Sequence, residues 1–193
     1  MKSIAVFCGS APGNEASFRE EAYGLGQLLA REEIRLVYGG GKNGLMGCVA
    51  DGVLDAGGTV TGVIPEFLKK EEVVHTRLTE LVTTENMHER KLIMNERADG
   101  FITLPGGFGT LEELFEIITW SQLGLHHKPV GVLNCGGYYD HLFALLDHMV
   151  AHGLLKPQFR SRLLESESKN ELLTSMRNWK AQDARIRITK DRV

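Results

Sequence analysis

The stretch that decides the fold is Gly100-Phe101-Ile102-Thr103-Leu104-Pro105-Gly106-Gly107-Phe108-Gly109-Thr110-Leu111-Glu112-Glu113. It opens with a short apolar run, too short for a helix and suited to a buried strand. A proline and three glycines then break the pattern. Beyond them Leu111, Leu114, Phe115 and Ile118 recur at the spacing of a helical face. A strand, a glycine-rich loop and a helix (111–123) therefore follow one another without a spacer. The unit repeats along the chain. Strands are expected at 4–7, 34–38, 59–64 and 129–133, with a weaker one at 81–83. Helices are expected from Asn14, over 46–56, 87–98 and 138–152, and after Ser168, where Ser168-Lys169-Asn170-Glu171 matches a capping box. Alternation of this kind predicts an α/β fold, a predominantly parallel sheet with helices on both faces. Ligands of such sheets bind beyond the carboxyl ends of the strands. The glycine clusters fall at those ends: Gly9, Gly39-Gly40-Gly41, Gly106-Gly107-Gly109 and Gly136-Gly137.

Composition narrows the class. The 193 residues suit one domain, and 42% hydrophobic with 24% charged residues is an ordinary globular balance. A net charge of -3 argues against a bulk nucleic-acid or anionic-membrane binder, and no run is apolar and long enough to span a bilayer. The opening apolar stretch is too short for a signal peptide. Cys8, Cys48 and Cys135 are odd in number, far apart, and lack metal-ligand spacing, so reduced thiols in a cytoplasmic protein are expected, with no metal and no cofactor. Residues 180–193 carry Lys180, Arg185, Arg187, Lys190 and Arg192 against Asp183 and Asp191, and are expected to be a poorly ordered basic tail behind a single domain at 1–179.

Two loops carry the chemistry. Residues 39–44 satisfy G-x-G-x-x-G between a strand and a helix. The match follows the second strand, however, and Glu66 is poorly placed to hold a ribose. A phosphate-loop reading fails because Lys42 precedes Asn43 and Leu36 stands where the leading glycine belongs. The loop reads as backbone able to approach a nucleotide or phosphate. In 105–113, glycines free N–H groups to turn inward and the next helix adds the positive end of its dipole, an anion site. Thr110 either caps that helix or donates to the anion. Glu112 and Glu113 either complement the dipole or perform acid–base work. With Leu111, Leu114, Phe115 and Ile118 facing the core, Glu112 and Thr119 share a flank, and Glu113 points away from the core with Ile117 and Trp120. An apolar outer side predicts a covered surface, most simply a second copy of the chain. Arg90 and Lys91, in Met87-His88-Glu89-Arg90-Lys91, either clamp an anion or form a solvated face paired with Glu85 or Glu89.

These residues resemble a known family. Pro105 to Glu113 fits P-G-G-x-G-T-x-x-E, and Met87 to Lys91 and Gly39-Gly40-Gly41 with Gly44-Leu45-Met46-Gly47 fit two further motifs. The likeness covers about residues 4–179, including Trp120-Ser121-Gln122-Leu123-Gly124 and Lys128-Pro129-Val130-Gly131. The chain is similar to the LOG ("lonely guy") family of cytokinin riboside 5′-monophosphate phosphoribohydrolases. The resemblance implies a Rossmann-like homodimer that hydrolyses the N-glycosidic bond of AMP or N6-prenyl-AMP. It places the substrate contacts on Glu72 (or its neighbour Glu71), Arg90, Lys91, Gly107, Phe108, Gly109, Thr110, Leu111, Glu112, Glu113 and Thr119. Glu113 and Arg90 are the implied catalytic pair. Glu113 would stabilise an oxocarbenium-like ribose and activate water, while Arg90 orients the substrate or helps the departing base. Non-catalytic nucleotide binding, and a dinucleotide oxidoreductase using residues 39–44, are the competing classes. A lysine-decarboxylase label attached to some relatives finds no recognisable pyridoxal-phosphate site in the sequence.

Overall fold

The computed structural model describes residues 1–70 and 73–180. Seven strands form one sheet: β1 (Ser3–Phe7), β2 (Arg35–Tyr38), β3 (Val60–Pro65), β4 (Glu80–Thr84), β5 (Gly100–Thr103), β6 (Val130–Leu133) and β7 (Leu163–Ser166). Every pairing between strands is parallel, in the order β4-β3-β2-β1-β5-β6-β7. The helices are α1 (Ala16–Arg31), α2 (Gly44–Asp55), α3 (Met87–Arg97), α4 (Phe108–Leu123), α5 (Asp140–Ala151), the single turn α6 (Pro157–Arg160) and α7 (Lys169–Arg177).

Strand periodicity builds two cores. Ile4, Val6 and Cys8 face α1, α2 and α7, while Ala5 and Phe7 face α3, α4 and α5. The expected α/β fold with helices on both faces is what the chain adopts. Glycine also serves the helix layer. A Cβ at Gly26 would strike the Val49 carbonyl and one at Gly52 the Tyr23 carbonyl, so the α1 and α2 backbones touch. Helix ends follow local chemistry. Asn86 Oδ1 accepts from Glu89 N at 2.9 Å to start α3, and Gly124, at φ 79°, closes α4 with bonds to Ser121 and Trp120 carbonyls.

Four expectations need correction. β7 and α6 lie outside the expected elements: Leu163-Leu164-Glu165-Ser166 is a four-residue edge strand whose two faces each pair one leucine with one polar residue, a weak periodic signal. Helix α4 starts three residues earlier than its apolar spacing suggests. The capping box at Ser168 is half formed: Ser168 Oγ accepts from Glu171 N, whereas Ser168 N donates to Ser166 Oγ. The fourth correction concerns which side of α4 is buried. Thr110, Leu114, Ile117 and Ser121 face the core, with Ile117 2% exposed, while Phe115 is 38% exposed. The buried face is turned by somewhat less than one residue's step from the expected one. Glu113 consequently lies on the flank of the buried side, and the outward apolar surface runs through Leu111, Phe115 and Ile118.

Glu71, Glu72 and the basic tail beyond Lys180 lie outside the described residues. Among the described residues no helix is long and apolar enough to cross a membrane, and Cys8, Cys48 and Cys135 are free thiols.

Candidate active site

The chain order reverses at β1, which has β2 on one side and β5 on the other. A crevice forms at such a reversal, beyond the strand ends. Two glycine loops meet there. Leu104 N donates to Phe7 O at 2.9 Å, and Gly9 N donates to Pro105 O at 3.0 Å.

From this join the chain enters α4 with Gly107 at the N-cap. The first N–H groups of a helix have no partner within it. They open here onto solvent: Gly107 and Gly109 are exposed, and Phe108 is 94% exposed. A Cβ on Gly107 or Gly109 would meet nothing among the described residues. Their lack of a side chain leaves room for something else. Thr110 is not the cap. It is buried in the first turn, where its Oγ1 lies against Gly106 so closely that a Cβ there would collide with it.

Glu113 sits one turn into α4 and its side chain is 14% exposed. Burial pushes its carboxyl from the usual 4.5 up to about 7; the positive charge of Arg90 opposes the rise, and Glu112 reinforces it. Arg90, on the first turn of α3, is 7% exposed. Its Nη2 stands 3.9 Å from Glu113 Oε1, too far for a hydrogen bond but close enough for strong attraction. Its Nη1 meets Met87 Sδ at 3.7 Å, and its Nε has no hydrogen-bond partner among the described residues. A buried guanidinium with so few acceptors is under-satisfied. Gly39 makes room for it: a Cβ there would collide with Arg90 Nη2. The first glycine loop is thus used at Gly39 to admit a protein side chain rather than a ligand.

Lys91 turns to α4, where its Nζ bonds Glu112 Oε1 at 2.7 Å and Glu116 Oε1 at 2.9 Å. Glu89, a partner considered for this pair, instead accepts from Glu85 N at 2.7 Å. Phe7, Lys91, Glu113, Glu116 and Ile117 line a small recess. Cys8 lies near enough that the Glu113 charge adds to burial in pushing its thiol well above the usual range, so it is a neutral thiol. Leu111 is half-buried against the core. Thr119 lies on the exposed flank, its Oγ1 donating to Phe115 O at 2.7 Å, and is not brought to Glu113 within one chain. Three or more metal-ligating side chains do not cluster anywhere among the described residues.

Two residues given no role in the sequence reading also reach this loop. Tyr138 and Tyr139 follow β6, and their hydroxyls bond loop carbonyls. Gly136-Gly137 just before them, at another strand end, was the available signal.

The fold and site together define a parallel α/β protein with an open helix N-terminus beside a buried carboxyl–guanidinium pair. Comparison with known proteins narrows this further. A family model described as "Possible lysine decarboxylase" matches residues 46–176. The chain is 46% identical over 182 residues to a probable cytokinin riboside 5′-monophosphate phosphoribohydrolase, LOG6, of Arabidopsis thaliana, covering 94% of this chain and 90% of that one. It is 46% identical over 178 residues to the cytokinin riboside 5′-monophosphate phosphoribohydrolase of Rhodococcoides fascians, covering 92% and 90%. The crystal structure of the structural-genomics target TM1055 superposes with a TM-score of 0.71 at 26% identity, covering 93% of this chain and all of that one. The chain belongs to the LOG family.

Proposed function

We propose that this protein hydrolyses the N-glycosidic bond of adenosine 5′-monophosphate or its N6-prenylated form, releasing the free base and ribose 5-phosphate. The observation that carries the reading is the Glu113–Arg90 pair, buried beside the open N-terminus of α4. The relatives' shared activity supports it.

The roles follow from charge. The N–H groups at Gly107, Phe108, Gly109 and Thr110, with the helix dipole, hold the 5′-phosphate. As the C1′–N9 bond breaks, positive charge grows on the ribose and negative charge on the base. The Glu113 carboxylate stabilises the first and takes a proton from the attacking water, whose oxygen bonds C1′. The base leaves with its electron pair and gains a proton. Arg90 supplies fixed positive charge to substrate oxygens, which satisfies its unpartnered Nε. Lys91, pinned between Glu112 and Glu116, fixes α3 against α4 and so sets the distance between the two catalytic groups. Glu72 is assigned to substrate binding by family position alone.

A second copy of the chain covers the Leu111–Phe115–Ile118 side of α4, making a homodimer; the exposure of Phe115 supports this. Such packing would also bury Thr119 and Glu112 beside the partner. The protein acts in the cytoplasm on a small molecule, without nucleic acid or membrane.

The test is direct. Purified protein is incubated with AMP and, separately, with isopentenyladenosine monophosphate, and free base and ribose 5-phosphate are quantified. Equimolar release from either substrate supports the proposal. Nucleotide binding without any release of base would make the protein a non-catalytic binder.

A further inference from the structure

The anion cradle has no rigidity of its own, because glycine backbone is the least restrained there is. What holds it is visible in its carbonyls. Leu104 O accepts from the Tyr139 hydroxyl at 2.7 Å. Pro105 O accepts from Gly9 N at 3.0 Å. Gly106 O accepts from the Tyr138 hydroxyl at 2.8 Å. Gly107 O then accepts from Leu111 N at 3.1 Å, a first helical bond. Four successive carbonyls are therefore each held by a donor, and three of the donors come from outside α4.

This matters for the N–H groups. In a trans peptide the C=O of one residue and the N–H of the next point in opposite directions. Pinning Gly106 O to the Tyr138 hydroxyl turns the N–H of Gly107 the other way, while Tyr139 grips the loop at both Leu104 O and the N–H of Gly106. We propose that Tyr138 and Tyr139 are positioning residues, whose hydroxyls hold the loop at Leu104 and Gly106 so that the N–H groups from Gly107 onward face the 5′-phosphate. The inference rests on the nucleotide-hydrolase reading above.

The tyrosines are themselves held. Asn134 Oδ1 accepts from Tyr139 N at 2.7 Å, and Asn134 Nδ2 donates to Asp140 Oδ1 at 2.7 Å, which fixes the turn after β6. Tyr138 packs edge-on between Phe18, at 5.5 Å, and Tyr139, at 4.9 Å. Tyr139 is buried, and burial pushes its hydroxyl pKa well up, so it stays a donor. Phenylalanine would pack equally well at either place. The hydroxyls are what the loop uses.

Tyr138→Phe, Tyr139→Phe and the double variant remove only those oxygens. Two quantities are read for each: the steady-state constants for the nucleotide, and the Kd of ribose 5-phosphate by calorimetry. KM and Kd should rise about five- to tenfold per hydroxyl, with kcat changed by less than about twofold. Tyr23→Phe, which removes a hydroxyl bonded to Asp55 on the far surface, should change neither. An unchanged Kd in the double variant overturns the proposal. So does a fall in kcat at unchanged KM, which is what loss of folded enzyme produces. The two readings separate cleanly. Wild-type protein that binds ribose 5-phosphate but frees no base loses the hydrolase reading, and the Kd series still decides the tyrosines. Wild-type protein that frees base while all variants match its Kd keeps its function and loses the clamp. Failure of wild-type protein to bind ribose 5-phosphate overturns the clamp, and base release then decides the hydrolase reading alone.

Discussion

Replacing Glu113 by glutamine should make the protein more stable and inactive, and only above a certain pH. Burial raises the carboxyl from 4.5 to about 7 in the folded chain. Between those values the folded protein holds a proton that the unfolded chain has released. The associated stability is full below pH 4.5, declines as pH rises through 7, and is gone above it. At about 1.4 kcal/mol per pH unit, the interval amounts to about 3 kcal/mol. Glutamine is neutral at every pH and similar in shape, so the variant escapes the penalty. Protonated Glu113 and glutamine leave Arg90 equally without an anionic partner, which makes the comparison a fair one. Thermal unfolding of both proteins should coincide near pH 4.5. At pH 8 the variant should melt several degrees higher, about 6–12 °C at the full value for a chain of this size. Base release by the variant should fall by roughly 10²–10⁴, the usual worth of a general base. Wild-type kcat/KM should rise with pH through about 7 as the carboxylate forms. A variant less stable than wild type at every pH would refute the buried, proton-holding carboxyl. Base release within about tenfold of wild type would refute its catalytic role.

Other perturbations probe neighbouring features. Gly109→Ala places a methyl where the protein has open space, on the second residue of α4. It should stabilise the helix by about 0.5–1 kcal/mol, yet weaken ribose 5-phosphate binding at least about tenfold, because a helical Cβ tilts toward the N-terminus and so into the cradle; melting and calorimetry on one sample test both signs. Gly39→Ala should push the Arg90 guanidinium aside and cut kcat/KM by about 10²-fold, read in the base-release assay. Asn86→Ala removes the cap of α3 and should cost about 1 kcal/mol in denaturant unfolding. Phe115→Glu should convert a dimer to a monomer by light scattering, since it puts charge in the middle of the exposed apolar side of α4.

The chain's local periodicity determined its class. Apolar runs such as Ile4-Ala5-Val6-Phe7, four of them followed by a glycine cluster and alternating with helical repeats, are buried as parallel strands under helices. Residues 105–113 likewise stood out as a candidate anion site, because the glycines, the helix start and the carboxylates are adjacent in sequence. Where the signal was short or ambiguous it failed. β7 has four residues on an edge, and α4 was rotated because Thr110 and Ser121 read as polar although small side chains let the helix approach the sheet. Strand order was beyond local pattern altogether. Residues near 7 and 103 are far apart in the chain, and only the pairing of β1 with β5 brings Gly9 to Pro105. The same packing sets Arg90 of α3 against Glu113 of α4 and buries both, which decides how strongly that carboxyl holds its proton. Residue identity supplied the carboxyl and the guanidinium. Desolvation and distance, properties of the folded chain alone, raised the proton affinity of the carboxyl.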